Sequence, residues 1–226
     1  MFCSIFFLPV GISMRKYLFF YTLIWFCGLT ADQELWADTW YQVRWVDDGD
    51  SIVLQDGRHV RYIGINAPEI QHADQKAEPF GNEAKSINTK LVFQKNVRLE
   101  YDREKRDPYG RTLAYVYLRN GLFANTEMIA QGAAYFLFLR PNTKHTLLFV
   151  KNQHAAMLAG KGFWQNWKES NAEYIANKRS MRFHLSTCPF AGKIKSAHKV
   201  RFSRKWDAFW AGYAPAKRCV TQWWSE

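Results

Sequence analysis

Acidic side chains almost vanish from the end of this chain: residues 177–226 carry eleven Lys/Arg against Asp207 and Glu226 alone. The residues before them hold twenty Lys/Arg and eighteen Asp/Glu, so most of the +11 formal charge of the 226-residue chain belongs to its tail. Such a tail attracts a polyanion or an anionic membrane surface. Cysteine is equally scarce, with four residues in all. Cys3 and Cys27 lie in the N-terminal segment, which excludes a cysteine-dense scaffold and leaves only Cys188 and Cys219. An even pair in an oxidising compartment suggests a disulfide, and closing that loop removes chain entropy worth roughly 3–4 kcal/mol. Two buried free thiols are the alternative, while His184 and His198 lack ligand-like spacing to either cysteine and so argue against zinc.

A membrane-spanning run is lacking too. Arg15-Lys16 followed by the apolar stretch Tyr17–Leu29 is too short for a comfortable span and has the layout of a signal peptide, assigned here to residues 1–31. Met14 is an alternative start, cleavage fits after Ala31 or Ala37, and bulky Trp25 and Phe26 argue against a lipidated Cys27. The expected location is secreted or periplasmic, with an uncleaved anchor as the alternative. No stable membrane association is expected once the signal is removed, and a monomer is expected.

What is present is apolar: 48% of the chain is hydrophobic, enough for a core without help from metals or crosslinks, and neither disordered nor fibrous in character. Tyr41–Val46, Ser51–Gln55 and His59–Ile65 are rich in β-branched and aromatic residues and are separated by the turn pairs Asp48-Gly49 and Asp56-Gly57, which predicts a three-stranded meander. A helix is predicted over Glu78–Phe93 from the spacing of Phe80, Ala84, Ile87 and Leu91, then strands at Asn96–Tyr101 and Thr112–Tyr117. Leu122–Gln131 and Lys144–Leu158 follow as helices stopped by glycines. The expected fold class is α+β, mainly a β barrel: a five-stranded OB-fold barrel with about three helices over residues 38–168. Such barrels bind oligonucleotides across one face. Trp164 and Trp167 are expected to help close the barrel domain, and residues 169–226 form a basic extension without readable periodicity.

Chemistry gathers at the turns of this barrel. Asp48-Gly49-Asp50, Arg61 through Pro68-Glu69, and Asp107-Pro108-Tyr109-Gly110-Arg111 bring carboxylates and two arginines to strand ends. A phosphodiester is an anionic electrophile whose oxygens gain charge as water attacks. A hard cation and fixed guanidinium groups answer that problem. Taken singly, each residue has a plainer reading: Asp48 and Asp50 as hairpin-turn residues, Arg61 and Arg111 as strand-edge charges, Glu69 as a loop cap. Asp107 reads as a turn former.

These fragments, with Gln131-Gly132, resemble in order and spacing the thermonuclease, or staphylococcal nuclease-like, family across about residues 38–168. The resemblance implies a Ca²⁺-dependent endonuclease acting on DNA and RNA and leaving 3′-phosphate ends. It implies Asp50, Asn66 and the Ala67 carbonyl at the metal, Arg61 and Arg111 on the scissile phosphate, and Glu69 orienting or deprotonating the attacking water. Asn66 departs from the family pattern, which has an aspartate there; Asn keeps an oxygen donor but loses a charge, which should weaken cation binding by about 1 kcal/mol or more. Ala67 replaces a threonine whose contribution is a backbone carbonyl. In the nucleotide pocket the family's tyrosines give way to Phe136 and Phe138 before Arg140-Pro141-Asn142, so Tyr109, Phe136, Phe138 and Arg140 are candidate substrate contacts, with a core role open for the two phenylalanines.

The tail interleaves Lys193, Lys195, Lys199, Arg201, Arg204 and Lys205 with Phe202, Trp206, Phe209, Trp210, Trp223 and Trp224. It reads either as a second nucleic-acid surface or as a disulfide-tied appendage with its tryptophans packed on the barrel. Two other functional classes stay open beside the nuclease: a noncatalytic OB-fold nucleic-acid-binding module with a weakened metal site, and a membrane-surface protein bound through the tail.

Overall fold

The computed structural model describes residues 39–71 and 77–220. The N-terminal segment expected to be a signal peptide, its cysteines, and Trp223 and Trp224 lie outside the described residues. Strands β1 (Trp40–Val46), β2 (Ser51–Leu54) and β3 (His59–Tyr62) form the expected antiparallel meander. With β5 (Asn96–Glu100) and β6 (Thr112–Leu118) they close an OB-type barrel in the order β1-β2-β3-β6-β5, β3 and β6 being parallel. Alternating inward residues such as Val43, Ile52, Leu54, Val60, Tyr62, Val97 and Val116 fill it.

The third strand is shorter than its β-branched run suggested. After Tyr62 the chain leaves β6, and β4 (Ile65–Asn66) pairs instead with β7 (Tyr135–Phe136). Helix α1 (Gly81–Val92) starts three residues later than expected, because Phe80 adopts a left-handed φ of 69° that ends the preceding turn. Its buried face runs through Ala84, Asn88 and Val92, with Ile87 and Leu91 half-buried beside it. Helices α2 (Ala124–Ala130) and α3 (Thr146–Leu158) cover the barrel, with Met128, Ile129 and Phe149 in the same core. No helix among the described residues is long and apolar enough to cross a membrane.

Residues 169–220, the described part of the stretch without readable periodicity, have regular structure. They form a four-stranded sheet, β10-β8-β9-β11, from β8 (Tyr174–Asn177), β9 (Arg182–Leu185), β10 (Lys199–Phe202) and β11 (Ala214–Pro215), with short helices α4 (Pro189–Gly192) and α5 (Lys205–Trp210). Strands of four residues or fewer are too brief for alternation to register. Trp164, buried with Tyr135 and Met157 of the barrel domain, and Trp167 beside it also meet this segment: their rings lie 5.2 and 5.5 Å from Phe209 and 5.8 and 5.6 Å from Trp206. A second core of Tyr135, Met157, Trp164, Tyr174, Phe183 and Phe209 joins the two parts. Gln153 crosses that junction, accepting the Phe136 N–H at 2.6 Å and donating to the Phe209 carbonyl at 2.7 Å. Cys188 and Cys219 form a disulfide that ties the start of α4 to the chain after β11. His184 Nδ1 lies 3.8 Å from the Cys188 sulfur and 3.4 Å from the Cys219 sulfur, and these are committed to each other in the oxidised chain.

Candidate active site

The β1–β2 turn is built to project one carboxylate inward. The Asp50 N–H donates to Asp48 Oδ1 at 2.8 Å, an Asx turn that orients the next residue, and Asn88 on α1 donates to the Asp48 carbonyl at 2.9 Å. Gly49 sits between them because a Cβ there would fall 2.5 Å from Ala67 Cβ and 2.9 Å from Ala84 Cβ. The loop after β4 therefore packs directly on the turn. Asp50, only 5% exposed, accepts the Ala67 N–H at 2.6 Å and the Ser51 hydroxyl at 3.0 Å.

Arg61 projects from β3 into the same pocket. Its Nη2 lies 3.0 Å from Asp50 Oδ2 and donates to Asn66 Oδ1 at 3.1 Å, while Nη1 donates to the Tyr62 carbonyl at 2.8 Å. A planar fork makes three such contacts from one group, which an ammonium cannot reproduce. The Asn66 amide donates to the Ala67 carbonyl at 2.9 Å and to the Tyr135 hydroxyl at 3.0 Å. Asp50, Arg61, Asn66 and Ala67 thus form one buried network.

Burial raises the Asp50 carboxyl to about 6; Arg61 and the Ala67 N–H act against the rise, and Asp48 adds to it. Among the described residues, Arg61 alone offsets the two neighbouring carboxylates of Asp48 and Asp50, which leaves room for a further positive charge. With the Asn66 amide oxygen and the Ala67 carbonyl beside Asp50, the donor set is all hard oxygen and suits an oxygen-ligated divalent cation.

Glu69 lies on the loop leaving this network, and its backbone is fixed. Its N–H donates to Glu78 Oε2 at 3.0 Å and its carbonyl accepts the Glu78 N–H at 2.8 Å. Gly81 packs so close that a Cβ would come within 2.3 Å of the Glu69 carbonyl oxygen. Glu78 is pushed up by burial, with Glu69 and Asp50 adding to the rise. The Glu69 Oε1 atom accepts a hydrogen bond from Lys217 of the C-terminal segment.

Arg111 makes its hydrogen bonds outside this network. It precedes β6, two residues before Leu113, which is the partner of Arg61 across the parallel pair. Asp107 holds it there, accepting Arg111 Nε at 2.7 Å and the N–H groups of Tyr109 and Arg111, the turn-forming role expected of that aspartate. Tyr109 is 85% exposed beside it. Phe136 is corrected as a substrate contact: at 2% exposure it packs in the barrel core and presents no face to a base. Phe138 is half-buried with the Arg140 guanidinium 5.4 Å above its ring. Sequence reasoning missed Tyr135, Asn88, Glu78 and Lys217. Only Asn88 left a trace, as a polar residue within the apolar helix face.

The family model of staphylococcal nuclease homologues matches residues 59–166. The thermonuclease of Staphylococcus intermedius is 38% identical over 128 residues, 55% of this chain and 76% of that protein. The chain belongs to the staphylococcal nuclease family. Thermonuclease of Staphylococcus hyicus is 37% identical over 129 residues, 56% of this chain and 76% of its own length, and endonuclease YncB of Bacillus subtilis is 32% identical over 136 residues, 58% and 62% of the two chains. The four-stranded C-terminal sheet, the disulfide and Lys217 lie beyond the residues matched by the staphylococcal nuclease family model.

Proposed function

We propose that this chain is an exported, Ca²⁺-dependent endonuclease that hydrolyses phosphodiester bonds of DNA or RNA and leaves 3′-phosphate ends. The observation that carries this reading is the interlocked network of Asp50, Arg61, Asn66 and Ala67 beside Glu69. Asp50, the Asn66 oxygen and the Ala67 carbonyl would hold Ca²⁺, which when bound supplies positive charge to the phosphate oxygens. Arg61 and Arg111 would hold the scissile phosphate, and Glu69 would orient or deprotonate the water. Tyr109, Phe138 and Arg140 are the remaining candidates for contact with the nucleotide. Export accords with the disulfide, since such bonds persist in oxidising compartments.

Cleavage of single-stranded DNA, duplex DNA and RNA by the oxidised protein, with Ca²⁺ or chelator, tests the reading. Cutting that requires Ca²⁺, disappears in Glu69→Ala and yields 3′-phosphate ends is expected. Binding without cutting at millimolar Ca²⁺ would instead make the chain a nucleic-acid-binding module.

A further inference from the structure

Glu69 and Lys217 are 148 residues apart in sequence, yet the lysine ammonium meets Glu69 Oε1 directly. The mount for this lysine is well made. It follows β11, whose Ala214 and Pro215 pair in parallel with Arg182 and Phe183 of β9. The Ala216 N–H donates to the Phe183 carbonyl at 2.9 Å, and the Ala216 carbonyl accepts the N–H groups of Cys219 and Val220 at 2.8 and 2.9 Å. The Cys188–Cys219 disulfide closes the same turn two residues further on. Sheet, turn and crosslink together fix where the Lys217 backbone stands.

The receiving end is equally constrained. Glu78 and Gly81 hold the Glu69 backbone, which leaves its side chain as the part free to choose a direction. Lys217 acts on Glu78 as well as Glu69, since it also opposes the rise in the Glu78 carboxyl. The lysine side chain is 53% exposed and the glutamate side chain 23%, and a half-exposed ion pair of this kind adds little to stability. Its consequence is geometric: with Oε1 held by the ammonium, the carboxylate is fixed in one orientation and Oε2 is left outside this ion pair. Misplacement of a catalytic group by about 1 Å can cost roughly a hundredfold in rate, so an anchor of this kind has a measurable consequence.

We propose that Lys217, carried by the disulfide-tied C-terminal segment, is a positioning residue of the nuclease site that orients the Glu69 carboxylate. The proposal rests on the nuclease reading given above. It assigns part of the site's geometry to a segment outside the residues matched by the family model.

Two measurements test it. First, treatment of the oxidised protein with a water-soluble carbodiimide joins carboxylates only to amines in contact, so mass spectrometry should find the Glu69 and Lys217 peptides linked through an amide. Second, steady-state cleavage with Ca²⁺ should show kcat in Lys217→Met reduced about tenfold with KM within about twofold, and Lys217→Arg should restore kcat to within about twofold. Absence of the crosslink overturns the proposal, as does an unchanged or raised kcat in Lys217→Met, or a loss confined to KM. A crosslinked wild-type chain that cuts no nucleic acid removes the nuclease reading itself and the positioning role with it. A chain that cuts but ignores Lys217→Met removes the positioning role alone.

Discussion

The carboxylate of Asp50 accepts the backbone N–H of Ala67 at 2.6 Å, tying the β1–β2 turn to the loop that leads to Glu69. Through this one bond a hairpin turn and a distant loop become parts of a single site, and the glycine between Asp48 and Asp50 makes the approach possible.

Gly49→Ala should therefore break the site from inside. Its methyl would meet Ala67 and Ala84 at 2.5 and 2.9 Å, closer than carbon atoms tolerate, and the Ala67 loop would move away from Asp50. A loss of about 1–3 kcal/mol in urea unfolding is expected, with calcium binding weakened in the same variant. A variant with wild-type stability and calcium affinity would contradict this account.

The Asp50 carboxyl, raised to about 6 by burial, makes metal binding sensitive to mild acid. In the metal-free chain the raised group favours the folded state most below its unfolded value near 3.8, and that contribution is lost as pH rises through about 6. Calcium needs the ionised form, so its Kd should rise about tenfold for each pH unit below 6. Calorimetric titrations at pH 7 and pH 5 should differ by roughly that factor. Equal affinities would show that Asp50 is ionised throughout.

Asn66→Asp adds a carboxylate to the proposed cation site. Calcium affinity should improve by about 1 kcal/mol, roughly fivefold. Without calcium the same variant should unfold at lower urea, because a further carboxylate would join Asp48 and Asp50. Tighter binding together with higher metal-free stability would be inconsistent with a cation site.

Replacing Cys188 and Cys219 by serine opens a loop with a sequence separation of 31. The chain-entropy model gives a cost of roughly 3–4 kcal/mol. Denaturant melts of the oxidised protein and the double variant should differ by about this amount, and reduction of the wild type should reproduce the shift. Coincident melts would mean that the C-terminal sheet needs no crosslink.

Much of the barrel was legible because its signals are local. Asp48-Gly49 and Asp56-Gly57 announce turns by backbone chemistry, and the alternation around Val43, Ile52 and Val60 has the period of a half-buried strand. The end of β3 was not legible, because its β-branched run continues while the partner changes from β6 to β7. Asp50, Arg61 and Asn66 were marked by residue type and order, and the fold brings them together. Tyr135 was not legible, since a hydroxyl that accepts from Asn66 across 69 residues leaves no local pattern. Phe136 illustrates the opposite hazard: beside Tyr135 in β7, it is core rather than surface. Lys217 looked like one more charge in a basic tail, and only tertiary structure singles it out.

Gln153 spends both ends of its amide on the junction between β7 and α5, one on the Phe136 N–H and one on the Phe209 carbonyl. Neither end can let go without leaving a buried polar group unpaired. Opening of β7 and of the C-terminal segment should therefore be coupled, and hydrogen exchange at the Phe136 amide should report on both. A substitution deep in the basic tail can then loosen Tyr135, and with it Asn66, with no contact to nucleic acid of its own.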